Sequence, residues 1–574
     1  MKKLFIIGLL AFVFASCYED KGNYEYKKVI IVEHDGSSAT SMSPANKNAI
    51  IGEEYTYYPA LKFSNYESPE DTLNLEYTWC CQHLSGDEND TLCVGRQMKW
   101  MVDRMATTLN VYLFIKDPKS NTETRLSMQI SAISRFSKGW AFLHNYGGKT
   151  DMSFVYPYWI EKEDPEDPTH VIKERHYDKY ANYLTTTNGD FGTNPTGMVW
   201  WGNNKSSKIL IFQDDPVSID GPTWKKEMRL EDEFAGGYPT GGFKDMIFTA
   251  GAAILLAKDG KVYRKEQYSG SSGQGEYQEF FITPYINVPL QDILTGEDLI
   301  IERFQPWWCA WRGNTVSCYD KVNGRILYSY HSSGREASNV YYVPYSSKKG
   351  EIKDEQYKNT TSKELYVDLA DLGEWEVQFA GQKGESYANG SNRSKQVFFL
   401  KNPAGEVLME MVDVEKTYKN EMFGTQKVYR PVYGNIDVRR WTDIEGATDD
   451  MINENTVHLF TDGYGGTSYL ANYLFIAKDN AIYCLDFDSF RLYKFYEYPA
   501  GTTIKFLNHN PQCTELGVYT SDNTFRTLTV NAQTINNDNY ADKVIGEITD
   551  LKDVVDMKYV FANHVTDFAF GKAD

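Results

Sequence analysis

Catalysis or metal binding in this 574-residue chain would have to come from nine histidines, eight cysteines or the 79 acidic residues. The histidines are scattered, and none forms HExxH or another pair spaced to meet on one helical face. His170 and His176 fall in a polar insert, Glu161–Tyr180, that reads as a solvated loop. No two cysteines have the CxxC spacing of a structural zinc site. No GxSxG elbow, P-loop or dinucleotide fingerprint stands in a strand-to-helix context. The run Gly270-Ser271-Ser272-Gly273-Gln274-Gly275 is Gly-rich, but no helix comes after it to lend its N-terminus to a phosphate. A glycosidase needs two carboxylates flanking a sugar bond, and 79 acids make any one pair impossible to single out. The reading is therefore a chain with no catalytic residues, no metal and no cofactor.

Binding is the better expectation. Aromatic residues reach 15%, with 42 Tyr and 12 Trp. Beside Gly- and Asn-containing turns stand Tyr146, Trp201, Trp311 and Arg312. Aromatic faces with a guanidinium suit sugar stacking, peptide side chains or carboxylates, although aromatics near such turns also serve as packing. The net charge of −20 argues against nucleic acid, whose phosphates are met by clustered Lys and Arg. It argues equally against direct adhesion to an anionic lipid surface.

The elements that must position these residues are hairpins. In Ile254–Lys265, ILLAKDGKVYRK, an apolar run meets Asp259-Gly260 and leads on to Val262 and Tyr263. Asp-Gly between such runs signals a type I′ turn. The unit returns at Leu474–Asp486, LFIAKDNAIYCLD, and weaker copies place turns near 147, 204, 313, 404 and 523. One hairpin cannot bury its faces alone, so copies must pack on one another. The expected architecture is all-β: a β-propeller over 136–574, of seven blades, with six or eight the alternatives because the gap from 313 to 404 has room for one more, and with every turn joining the second and third strands of its blade and pointing to one face. Val565–Phe570 alternates and is expected to close the ring against Gly139–Leu143. Residues 27–135 carry short strand signals, including Leu75–Cys81 with Trp79 placed to pack between sheets, and read as an Ig-like β-sandwich.

Seven cysteines remain after Cys17, so at least one has no partner within the chain. If Gly313-Asn314 form a two-residue turn, Cys309 faces Cys318 at a non-hydrogen-bonded site. There the Cα atoms lie about 4.5 Å apart, near the lower edge of disulfide range. A cross-strand disulfide is expected, with Cys81 and Cys93 the weaker candidate pair.

The N-terminus is a secretory signal: Met1-Lys2-Lys3 is basic, Leu4–Phe14 apolar, and Ala15-Ser16 leads into Cys17. A Cys at this place resembles a bacterial lipobox, which implies cleavage after residue 16 and a lipid on Cys17. The tether 17–26 carries Glu19 and Asp20, and these resemble the surface-export signal of Bacteroidetes lipoproteins. CYEDKGNYEY, the sandwich and the repeats behind it together resemble the PKD-like family of Bacteroidetes lipoproteins. That resemblance implies a PKD-like module, outer-membrane localisation facing the cell exterior, and partnership with a TonB-dependent barrel transporter and its lid lipoprotein in a starch-utilisation-type system. It implies capture of a peptide or oligosaccharide ligand for nutrient uptake, or docking alone. The alternative is a propeller glycoside hydrolase or other polysaccharide-degrading lipoprotein.

Overall fold

The computed structural model describes residues 29–561 apart from 37, 65–73, 83–88, 105, 137, 164–170, 203–206, 249–251, 267–283, 293–294, 306–314, 331–342, 345–351, 384–393, 424–425, 462–471 and 511. The chain divides into two compact units between Ala132 and Ile133.

The first unit is a β-sandwich. Five strands pair in the order Asn48–Ile50, Thr122–Ile133, Ala106–Asp117, Glu76–Gln82, Asn89–Val94. Two short pairs, Ile31–His34 with Leu61–Ser64 and Glu54–Tyr57 with Met98–Met101, complete it. Trp79 packs as the sequence suggests. It is fully buried, meets Tyr57 edge-on at 6.1 Å, and its indole N–H donates to the Gly95 carbonyl at 3.0 Å. Alternation along Thr122–Ile133 turns Leu126, Met128 and Ile130 into the same core.

The second unit is a β-propeller. Among the described residues seven antiparallel sheets succeed one another, and the innermost strands are neighbours in a closed cycle. In chain order these axial strands are Gly197–Gly202, Phe243–Phe248, Arg303–Gln305, Glu376–Lys383, His458–Phe460, Ile504–His509 and Val554–Phe561, of blades 2 to 7 and then 1. Lettered outward from the axis, strands a to d of blade 1 are Val554–Phe561, Lys138–Tyr146, Lys149–Glu163 and Val171–Tyr180. The last described strand thus pairs with the first of the ring, from Lys138 opposite Phe561 to His144 opposite Val554. The expected closure against Gly139–Leu143 is present, but Val554–Phe561 provides it; Val565–Phe570 lies outside the described residues. The two segments alternate alike, and only long-range pairing chooses between them.

Each blade interface is an apolar layer. Between blades 7 and 1, Trp140, Phe142, Phe525, Met557 and Tyr559 pack together, with Trp140 edge-on to Tyr559 at 4.9 Å. Gly517 is what lets them meet: a Cβ there would lie 2.4 Å from the Trp140 ring.

Turn chemistry differs in part from expectation. Turns near 147, 260, 404, 480 and 523 do join strands b and c. Those near 204 and 313 fall between strands a and b, at the opposite rim. The b–c turns of blades 2 and 4 are instead Gln213–Pro216 and Lys321–Gly324. In the latter, Asp320 accepts from the Asn323 N–H at 3.0 Å, and Gly324 has φ 57°. Asp259-Gly260 is not a type I′ pair either. Only Gly260 has positive φ, 88°, and its N–H donates to the Ala257 carbonyl, which makes a three-residue loop.

The register also corrects the disulfide. Cys318 stands opposite Phe304 on one side and Leu327 on the other, and is a fully buried free thiol. Cys309 lies outside the described residues. Cys81 and Cys93 are likewise free, opposite Asp90 and Trp79.

A chain ending before Val554 leaves an axial gap and uncovers Trp140 and Phe142, each contributing about 2–3 kcal/mol of burial. Its circular-dichroism melt is expected to lose cooperativity or fall by more than about 10 °C; a full-length-like melt contradicts the closure. Cys318 is expected to alkylate fully in denaturant without reductant, read by peptide mass mapping; protection until reduction would restore the disulfide.

Candidate functional site

The axial strands carry the groups that can do chemistry. Four of them hold a bulge at the same place, with Lys244, Gln378, Lys505 and Val555 as the extra residues. A bulge tightens the local twist and re-aims the next side chain. In blades 3 and 1 that next residue is an aspartate. Asp245 accepts the Met246 N–H at 2.8 Å, and Asp556 accepts the Met557 N–H at 2.8 Å. The second oxygen of Asp556 takes the Met198 N–H of blade 2 at 2.8 Å, and Lys558 lies 3.2 Å away. Asn508 ties blade 7 to blade 1 by donating to the Met557 carbonyl at 3.2 Å. Burial pushes the Asp245 carboxyl up to about 6, against the opposing pull of the Met246 N–H and Lys558.

Blades 4, 5 and 6 contribute a different set. Arg303 donates to the Val377 carbonyl across the blade interface. His458 stacks on Phe379 at 4.0 Å, and its Nδ1 donates to the Thr456 carbonyl at 2.8 Å. Burial, with Arg303 adding to it, lowers this imidazole to about 4, so it is neutral at ordinary pH. Gly381 makes room for Phe460, whose ring would lie 2.1 Å from a Cβ there.

The sequence-derived candidates do not converge. Tyr146 lies at the b–c rim of blade 1, stacked on His144 at 4.9 Å. Its hydroxyl is pushed up to about 12 by burial, with Asp151 and Asp553 adding. The Gly147-Gly148 turn beside it has positive φ at both residues. His144 is locked between Ser153 Oγ at 2.6 Å and the Lys552 carbonyl at 2.7 Å. Trp201 lies at the opposite rim, paired with Lys208. Trp311 and Arg312 lie outside the described residues, between strands a and b of blade 4. The expectation that Tyr146 and Trp201 share one face is thus corrected by strand direction: a–b and b–c connections of an antiparallel sheet lie at opposite ends. Cys17, Glu19 and Asp20 are outside the described residues.

Sequence reading missed the axial set. A signal existed in the recurrence Lys244-Asp245-Met246 and Val555-Asp556-Met557. Among the described residues one Cys–His contact occurs, Cys513 Sγ at 3.5 Å from His509 Nδ1. That nitrogen is 2.7 Å from the Asn510 carbonyl and donates to it, so it is not a base for the thiol. Among the described residues no three His, Cys, Asp or Glu side chains form a metal cluster. What the axial strands can do is hold a polar ligand against fixed charges of both signs.

The model of the PKD-like family matches residues 17–189, which takes in the sandwich and strands b to d of blade 1 but not its axial strand. No curated protein matches. Among solved structures, the chain is similar to the β-propeller domain of Cps50 (Swd1) from Myceliophteria thermophila, at 11% identity, 55% of this chain, 75% of that one and a TM-score of 0.27. It is similar to Chaetomium thermophilum Sqt1, solved bound to the N-terminus of ribosomal protein L10, at 9% identity, 62% and 88% coverage and 0.32. The dihydro-heme d1 dehydrogenase NirN gives 10% identity, 87% and 78% coverage and 0.33. Scores this low carry no argument about function; the sheet order itself defines the propeller. The class is thus an all-β chain of two units, a β-sandwich within the segment that the PKD-like family model matches and a seven-bladed propeller.

Asp245 gives a pH test. Its proton is held more tightly in the fold than in the unfolded chain. The stability this contributes is full below about pH 4 and is lost as pH rises through about 6. Asp245→Asn is expected to match wild type near pH 4 and to exceed it progressively towards pH 8, by on the order of 2 kcal/mol. Parallel melting curves across that range would contradict it.

Proposed function

We propose that this protein is a surface-exposed outer-membrane lipoprotein that captures ligand, or docks, as an accessory subunit of a TonB-dependent nutrient importer. The observation that carries capture is the set of Asp245, Arg303, Asp556 and Lys558 on the axial strands of blades 3, 4 and 1, the first three held by hydrogen bonds to the backbone and Lys558 by its ion pair with Asp556 before any ligand arrives. Fixed, partly dehydrated charges bind without first paying an ordering cost. The export reading is supported by the basic and apolar start of the chain and by Cys17 after Ala15-Ser16. Glu19 and Asp20 behind that Cys support display on the outer face. Peptides are the first ligand class and glycans the second.

Cys17→Ala is expected to shift the protein from the membrane fraction to the soluble fraction. A tagged wild-type chain is expected to copurify with a barrel transporter and its lid lipoprotein. Unchanged membrane partition of the variant, or turnover of polysaccharides by the purified chain, contradicts the proposal; turnover would move the assignment to the hydrolase.

A further inference from the structure

The propeller compensates its buried guanidiniums by direct contact. Arg175 meets Glu515 at 2.7 Å, Arg325 meets Asp292 at 2.5 Å and Asp320 at 2.7 Å, Arg439 meets Asp437 at 3.3 Å, and Arg526 meets Glu547 at 2.5 Å. Arg303, on the axial strand of blade 4, departs from that rule. It is only partly exposed, and its guanidinium carbon lies 5.7 Å from the Tyr319 ring centroid. It gives one hydrogen bond, to the Val377 carbonyl, and its Nε is buried with no partner. Among the described residues no carboxylate lies within ion-pair distance of it. Glu302 and Glu454 act on it only from further off. Lys321 already engages Glu376 at 3.4 Å and Glu454 at 3.9 Å.

A desolvated cation without a counter-ion is costly, and arginine is seldom buried without one. We propose that Arg303 is the anchor of a carboxylate-binding site on the axial strands of blades 4, 5 and 6. The inference rests on the capture reading and names its ligand class: a molecule with a free carboxylate, such as a peptide C-terminus or an acidic sugar. The guanidinium keeps N–H donors free in the planar fork that matches a carboxylate. His458 beside it is neutral, so it neither repels the guanidinium as a cation would nor competes with the ligand's charge. His458 is itself held by stacking on the buried Phe379 ring. A doubly charged phosphate is the weaker fit, because Glu302 and Glu454 act on the same position from further off.

Isothermal calorimetry on the full mature chain in detergent tests this with paired probes. These are peptides with free and amidated C-termini, and galacturonic acid oligomers with their methyl esters. The expected result is binding of a free acid that weakens tenfold or more when that acid is capped. Arg303→Gln should weaken the same ligand at least tenfold and Arg303→Lys less, with both variants melting near wild type. Whether the peptide or the uronate pair responds identifies the source of the carboxylate. Equal affinity for free and capped ligands, or for wild type and Arg303→Gln, overturns the site while leaving capture intact. A chain that binds nothing in the panel overturns both.

Discussion

The pairing of Val554–Phe561 with Lys138–Tyr146 is the constraint on which the rest depends. Seven twisted sheets laid around an axis form a ring only if the last returns to the first, and here one blade is shared between the two ends of the unit. The ladder alone is a modest bond. Its strength comes from the layer it completes, where Trp140, Phe142, Met557 and Tyr559 are buried together. The same strand carries Asp556 and Lys558, and Asp556 reaches across to the Met198 N–H of blade 2. Closure and the charged axial set are therefore one structural event: a chain that failed to close would lose both the apolar layer and the fixed carboxylate.

The repeated bulge on the axial strands links fold to chemistry. Inserting one residue costs a ladder bond and steepens the twist. In return it turns Asp245 and Asp556 so that each is fixed by the next backbone N–H. Phe379 and Phe506 occupy the equivalent places in blades 5 and 7 and pack against neighbouring rings instead. One backbone device thus serves adhesion between blades in some repeats and charge placement in others.

Much of this was legible in the residues. Alternation and turn residues around Gly147-Gly148, Gly260, Gly405, Asp479 and Asn523 marked five blades in the right place, because hairpins are local; the other two were counted from turns near 204 and 313 that fall between strands a and b. What depends on distance in sequence was not. Val554–Phe561 and Val565–Phe570 alternate alike, and only the partner strand distinguishes them. Lys321–Gly324 forms the b–c turn of blade 4, and Cys318 stands opposite Phe304, which carries the expected disulfide away. Arg303 bears no motif: its interest lies in lacking a carboxylate neighbour, a property of the assembled blades. Asp245 and Asp556 did repeat with a Met directly after each, a signal hidden among 79 acids.

Residue-resolved hydrogen exchange tests the closed ring most directly. The amides of Val554–Phe561 that bond to Lys138–His144 should exchange as slowly as those in the buried strand Ser394–Lys401, opening only with global unfolding of the propeller. Exchange of those amides at the rate of the exposed turn Lys321–Gly324, with the other blades still protected, would contradict it.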